Sequence, residues 1–250
     1  MNKVSGVIIC RNEEKNIEDC IKSILWCDEL IIVDSFSTDN TAEISKKYSD
    51  KIFQNEWKGF YEQRKFALSK ANYEWVFSLD ADERCSKELE MEIKSLFQKK
   101  DISDDGFEIP RKSFFLNRWI RHGGWYPNYQ LRLFKNQSAK VSDRLVHESY
   151  LVNGTVGRLK NNILHYTVKS ISDFVVKINS YSDLSAIEKV KKKRINFFDI
   201  SVMPGIAFFH QYILKGNFLD GMSGLMVSKF HMMTKLLNNM KIRELQNKRD

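Results

Sequence analysis

The four cysteines of this chain, Cys10, Cys20, Cys27 and Cys85, show no metal-ligand spacing, and no zinc signature is present. Two of them sit in apolar surroundings, and reduced, packed thiols in a reducing compartment are the expectation. No Gly-x-Gly-x-x-Gly follows the first apolar segment and no Walker-type loop occurs, which argues against a dinucleotide or P-loop site. Internal repeats and low-complexity segments are absent. No secretory leader is read, because the chain passes from Met1-Asn2-Lys3 straight into a strand pattern. The expected location is therefore cytoplasmic. The content of 42% apolar and 29% charged residues is that of a folded soluble protein and excludes global disorder.

Positive charge, by contrast, is in excess. A formal net charge of +8 points to an anionic partner: nucleic acid, acidic lipid headgroups or a phosphorylated substrate. Nucleic acid is not expected, since no helix-turn-helix, zinc or RNA-binding signature accompanies the charge. The densest basic run, Lys189 to Arg194, instead borders apolar segments.

The first hundred residues alternate apolar strand patterns with helical spacing. Val4 to Cys10 is a strand, and Arg11-Asn12-Glu13-Glu14 leads into a helix running to about Trp26. Leu30 to Val33 is a second strand, ended by Asp34, and Thr41 leads a helix through Tyr48. Ile52-Phe53, a helix from Gly59 to Ala71 and a strand from Trp75 to Leu79 follow. Connections this short predict βαβ units around a mostly parallel sheet. After a polar helix from Lys87 to Lys99, strands are expected at Phe107 to Ile109, Gln130 to Lys135 and Ile163 to Thr167. Between the first two lies an aromatic, basic stretch, Phe114 to Tyr129, whose composition suits a binding loop. From Ser170 onward only helices are expected.

The strand at Trp75 to Leu79 ends abruptly in Asp80-Ala81-Asp82-Glu83. In extended chain Asp80 and Asp82 point the same way, and two such carboxylates repel unless a cation lies between them. Oxygen ligands of this kind suit Mg²⁺ or Mn²⁺ bridging to a phosphate-bearing substrate. The bland alternative is a turn cap followed by the acidic first turn of a helix.

Three stretches together resemble the inverting family-two glycosyltransferases of GT-A fold. They are Val4-Ser5-Gly6-Val7-Ile8-Ile9-Cys10-Arg11-Asn12-Glu13-Glu14, Ile32-Val33-Asp34-Ser35-Phe36-Ser37-Thr38-Asp39-Asn40-Thr41 and Leu79-Asp80-Ala81-Asp82-Glu83. Four downstream stretches resemble the branch with the lipopolysaccharide inner-core β-1,4-glucosyltransferases: Trp119 to Pro127, Gln130 to Phe134, Val146-His147-Glu148 and Gly216 to Gly221. The resemblance implies a nucleotide-sugar donor, a UDP-hexose first, across the carboxyl ends of the strands. Cys10, Arg11, Asn12, Glu13 and Asp34 would line the base and ribose pocket, with Arg64, Asp80 and Ala81 near the diphosphate. It further implies a divalent cation, Mg²⁺ or Mn²⁺, on Asp80 and Asp82. Many relatives carry a second acid where this chain has Ser35.

Transfer also needs a base for the acceptor hydroxyl, for which Glu148 is the first choice and Asp143 the second. His147 or His165 would ligate metal, orient that base or serve structurally. Arg121 and Arg132 suit phosphates of donor or acceptor, and Trp125 and Tyr126 a stacked sugar. The expected division is a GT-A domain over residues 1–168, with a nucleotide-sugar half at 1–100 and an acceptor half at 101–168. Residues 169–250 form a helical extension. Its apolar segments are Phe197 to Leu214, interrupted by Asp199, His210 and Pro204-Gly205, and Gly221 to Leu237, with Lys229 and Lys235 spaced through it; beside the basic run Lys189 to Arg194 they are expected to lie on the cytoplasmic face of the inner membrane. A helical subdomain or a homo-oligomer interface is the alternative for the tail. The acceptor expected is lipopolysaccharide core or another lipid-linked glycan. The alternatives are polyprenyl phosphate, capsule or glycoprotein glycan, or a catalytically silent nucleotide-sugar or membrane-binding module.

Overall fold

Val4–Cys10 forms β1, seven residues that are all buried, as expected of a parallel strand covered on both faces. It pairs in parallel with β2 (Glu29–Asp34), which carries β3 (Ile52–Gln54) on its far edge, and on its other side with β4 (Trp75–Asp80). The crossovers are α1 (Ile17–Ser23), α2 (Thr41–Lys46) and α3 (Phe60–Leu68). Alternate residues of β1 feed two apolar clusters: Ile8 with Phe77 and Leu79, and Val7 and Ile9 with Val33, Val76 and Phe134. Each fully buried side chain of this size stabilises the fold by about 1.5–3 kcal/mol. This computed structural model describes residues 2–99, 101–142 and 149–248.

The helix expected from Arg11 begins only at Ile17. Asn12 has a positive φ of 54°, and the N–H groups of Asn12, Glu13 and Glu14 donate to Ser37 Oγ, Thr41 Oγ1 and Asp39 Oδ2. Those donors are bound to the turn after β2 and hold this stretch outside the helix.

Beyond β4 come β5 (Glu83–Cys85) and α4 (Lys87–Phe97), the latter capped by Ser86, whose Oγ accepts from the Leu89 N–H. The remaining strands are β6 (Gly106–Phe115), β7 (Arg118–Trp119), β8 (Asn128–Lys135), β9 (Ala139–Val141), β10 (Tyr150–Val152), β11 (Val156–Arg158) and β12 (Ile163–Val168). The sheet runs β3-β2-β1-β4-β8-β6-β12-β5, with β7 and β11 also on β6, while β9 and β10 form a separate pair. Register sets Cys10 opposite Asp34 and Ile9 opposite Asp80, so the carboxyl ends of β2, β1 and β4 stand side by side. In open α/β sheets that edge is where ligands bind.

The described residues within 1–111, 128–144 and 148–165 make one compact unit, and those within 112–127 and 166–250 a second. The second holds β7 and the ends of β6 and β12, and from Ser170 onward it is helical, as expected of that stretch: α5 (Ile171–Lys189), α6 (Phe197–Ser201), α7 (Met203–Phe209), a π turn at His210–Leu214, a 3-10 turn at Asn217–Asp220 and α8 (Gly221–Asn247). Its core joins Phe115, Ile120, Val168 and Val227 with Trp125, Phe174 and Phe230. Pro204 does not break the chain where Pro204-Gly205 suggested a break. It occupies the first turn of α7, where its missing N–H is harmless, and the interruption falls at Val202. Phe197–Leu214 is the one described helical run apolar and long enough to cross a membrane, at 18 residues and a mean hydropathy of 1.2, and only 11% of it is buried.

Candidate active site

At the head of β2, the buried Asp34 carboxylate accepts from the Ser37 N–H at 3.0 Å and from the Ser37 hydroxyl. Cys10 Sγ lies 3.7 Å from Asp34 Oδ1, and burial with this neighbouring carboxylate pushes the thiol well above its ordinary range. Asp34 therefore holds the 35–37 turn that the Asn12 and Glu13 loop is laced to. Ser35 Oγ accepts from the buried Gln63 Nε2, and Gln63 Oε1 accepts in turn from Asn55.

At the head of β4 the charges are dense and paired. Asp80 Oδ2 accepts from Arg132 Nη2 at 2.5 Å, and Oδ1 from Arg64 Nη2 at 3.2 Å. Glu83, wholly buried, accepts from the Asp80 N–H at 3.1 Å, Arg132 Nη2 at 2.8 Å and Arg111 Nη1 at 3.2 Å. Burial alone would raise the Asp80 pKa, but the Arg132 and Arg64 guanidiniums outweigh it and hold the carboxyl well below the usual carboxylate range. Burial likewise opposes the charge on Arg132, and Asp80 and Glu83 overcome that. Arg64 also lies over the Tyr150 ring, whose hydroxyl meets Ser78 Oγ at 2.9 Å and whose pKa burial raises.

Three guanidiniums meet two carboxylates, Asp80 and Glu83, so the cluster itself carries a positive excess, while the third carboxylate of the strand end, Asp82, faces His165. The Nε atoms of Arg111 and Arg132 are buried with no hydrogen-bond partner among the described residues. Such orphaned donors are costly unless an acceptor arrives. Cationic excess and orphaned donors together make this a site for a strongly anionic group, and a diphosphate has that chemistry.

Asp82 stands one residue beyond Ala81 and faces His165 of β12, with Oδ2 and Nε2 3.2 Å apart. Both side chains are largely buried. No group of three His, Cys, Asp or Glu side chains among the described residues could hold a metal ion. A carboxylate with one imidazole nitrogen nevertheless fits a hard cation whose other positions are filled by substrate phosphate oxygens and water.

Of the expected site residues, Cys10, Arg11, Asn12, Glu13, Asp34, Arg64, Asp80, Ala81, Asp82 and Arg132 belong to the first unit, and Arg64, Asp80 and Arg132 are in direct contact. Arg121, Trp125 and Tyr126 belong to the second. There Trp125 meets Phe115 edge-on in the apolar core, while Tyr126 meets Trp119. Asp143, His147 and Glu148 lie outside the described residues. Glu83 and Arg111 went unread in the sequence. The available signal was a third carboxylate directly after Asp82 and, on β6 and β8, an arginine in each strand.

The family model described as glycosyl transferase family 2 matches residues 5–150. The chain is 31% identical, over 229 residues covering 88% of it and 84% of the relative, to the lipopolysaccharide core biosynthesis glycosyltransferase LpsC of Rhizobium meliloti. It is 29% identical over 257 residues to an uncharacterized glycosyltransferase of Rickettsia felis, covering 98% of this chain and 90% of that one. Among solved structures, S. aureus TarS 1-349 in complex with UDP aligns over 99% of this chain and 92% of its own at 14% identity, with a TM-score of 0.49.

Proposed function

The chain belongs to glycosyl transferase family 2, and from that membership we propose that it moves a hexose, with inversion, from a UDP-sugar to a lipopolysaccharide-core or other lipid-linked glycan. The observation that carries the donor half is the cluster of Arg64, Arg111 and Arg132 around Asp80 and Glu83, a pre-paired cationic cradle at the carboxyl edge of the sheet. The name borne by the Rhizobium meliloti relative supports the acceptor class.

In this reading Asp80 does not need to face the cation directly. Its carboxylate orients Arg64 and Arg132, and those guanidiniums neutralise the donor diphosphate. Asp82, with His165, would hold the divalent cation, and His147 is a further candidate ligand. When bound, Mg²⁺ or Mn²⁺ supplies Lewis-acid stabilisation of the leaving diphosphate. Glu148, with Asp143 as second choice, takes the proton of the acceptor hydroxyl as that oxygen attacks the anomeric carbon. Cys10 to Glu13 and Asp34 shape the base and ribose pocket through the laced turn.

Residues 1–100 serve the donor together with Arg111, Arg132 and His165, the rest of 101–168 serves the acceptor, and 169–250 the membrane. Phe197, Phe209 and Leu214 are exposed at 85%, 56% and 68%, and the Lys189 to Arg194 run lies just before them. An apolar face beside a basic run suits peripheral binding to anionic lipid on the cytoplasmic face of the inner membrane.

The test is calorimetric titration with UDP-glucose, UDP-galactose, GDP-mannose and an ADP-heptose, with and without Mn²⁺. One donor is expected to bind, more tightly with the cation, and Asp82→Ala is expected to remove the cation's contribution. Failure of every donor to bind in either condition overturns the donor assignment and favours a silent module.

A further inference from the structure

Two cations of the second unit meet on one indole. Lys112 Nζ lies 4.2 Å and Arg121 Cζ 4.4 Å from the ring centroid of Trp119, and the Tyr126 ring meets the same indole edge-on at 5.2 Å. Neither cation has a carboxylate partner among the described residues, in contrast to Arg64, Arg111 and Arg132. The Trp119 Nε1–H is buried and donates to nothing among them. Like charges gathered on one ring repel each other, and an anion held between them removes that repulsion.

The backbone beneath is locked. Trp119 sits in β7, paired to β6 across Leu116 and Asn117, both of positive φ, as a two-residue hairpin turn requires. The buried Asp220 carboxylate accepts from the N–H groups of Arg121 at 3.1 Å and His122 at 2.9 Å. Gly123 donates its N–H to Lys215 O at 3.0 Å and accepts from Gln211 Nε2 at 2.6 Å. Gly123 has φ +68°, and a Cβ there would stand 1.9 Å from Asn217 Oδ1, so the position takes glycine alone. The loop therefore presents Arg121 in a fixed place before any ligand arrives, which lowers the ordering cost of binding.

We propose that Lys112, Trp119 and Arg121 form a subsite for an anionic sugar of the acceptor, a phosphorylated or carboxylated pyranose. It deepens the transferase reading and rests on it. The indole holds the two cations over its ring, Arg121 takes two oxygens of the charged group in parallel, and Lys112 supplies a second, less directional charge. Trp125, the aromatic first expected to stack on sugar, is committed to the core against Phe115. A neutral sugar leaves both cations unanswered, so the subsite selects for charge.

The experiment follows the indole ¹H–¹⁵N resonance of Trp119, assigned with Trp119→Phe, by NMR. Mannose 6-phosphate, glucuronate and mannose are titrated with UDP and diamagnetic Mg²⁺ in excess, so that the arginines of the first unit are already occupied. Both charged sugars are expected to shift this resonance with a Kd at least about tenfold below that of mannose. Lys112→Met and Arg121→Met should each shrink that preference severalfold and together abolish it, and more salt should weaken it in the wild type. Equal affinity for charged and neutral sugars overturns the proposal, and so does a preference that survives the double substitution. Circular dichroism and UDP binding of the double variant show that its fold is retained. If the wild type binds no UDP, the donor reading fails by itself, and the Trp119 resonance still reports on the sugars.

Discussion

In the first unit buried charge is answered from within, and in the second a large part of the surface chemistry is left for something outside. At the head of β4 every guanidinium of the cluster touches a carboxylate, and Glu83 binds two of them while accepting the Asp80 N–H. In the second unit Lys112 and Arg121 share an indole, and Phe197, Leu214 and Phe209 face outward. The difference separates two tasks. Charge stabilisation during bond breaking works best in a preorganised, water-poor setting, where the dipoles need no rearrangement. Recognition of an acceptor or a lipid surface needs groups whose partners arrive later.

The largest effect should come from unpairing the first unit. Arg132→Ala leaves Asp80 to Arg64 and Glu83 to Arg111 at 3.2 Å each and removes the shortest bond of both carboxylates, 2.5 Å to Asp80 and 2.8 Å to Glu83. Breaking a buried pair by removing one partner costs about 3–5 kcal/mol. The measurement is urea unfolding together with donor binding, and both are expected to fall. Arg132→Lys restores the charge without the planar fork, and it should recover more stability than donor affinity. Equal recovery of the two would make Arg132 a purely structural cation.

Much of this unit was legible in advance because its signals are local. An apolar run that ends in Asp80-Ala81-Asp82 announces a buried strand and a polar edge without reference to any distant residue. Glu83 was not legible in the same way, because its partners Arg111 and Arg132 lie 28 and 49 residues away, brought close by β6 and β8. The start of α1 was misplaced for a related reason: its would-be first-turn donors are taken by Ser37, Thr41 and Asp39. Strands of three residues, such as β5, β9, β10 and β11, are too short to show a period. In the tail, composition marked helices, but which face stays uncovered depends on how α5 and α7 pack on α8.

A smaller effect is expected from the second unit, since its exposed side chains support no core. Phe197→Glu with Phe209→Glu should leave the melting temperature nearly unchanged and lower binding to phosphatidylglycerol vesicles. Each buried phenyl ring contributes about 1.5–3 kcal/mol to insertion, so the loss should be tenfold or more. Sedimentation with vesicles reads it, and phosphatidylcholine vesicles isolate the electrostatic share. Unaltered sedimentation of the double variant would transfer the exposed face to assembly, which analytical ultracentrifugation at rising concentration would then reveal.

The smallest effect expected tests internal pairing in the first unit away from the site. Glu29 is buried at the start of β2 and accepts from Lys51 Nζ at 2.5 Å, the Asn72 N–H at 2.7 Å, Asn72 Nδ2 at 2.8 Å and the Ser5 hydroxyl. Burial alone would raise its pKa, but the bonds from Lys51, Ser5 and Asn72 reverse that and hold it at about 2, against an ordinary 4.5. A depressed carboxylate stabilises the fold fully above its unfolded pKa, and the contribution is lost as pH falls through the folded one. Stability should therefore decline between about pH 4.5 and 2 as the unfolded chain takes up the proton first. Glu29→Gln removes that titration, so its thermal midpoint should lie a few degrees below the wild type at pH 7 and converge with it near pH 2. The midpoints of Glu29→Gln and wild type at pH 7, 4, 3 and 2 read this directly. A constant gap at all four values would mean that Lys51 and Asn72 hold Glu29 by shape and not by charge, and the contrast between the units would then rest on the arginine cluster alone.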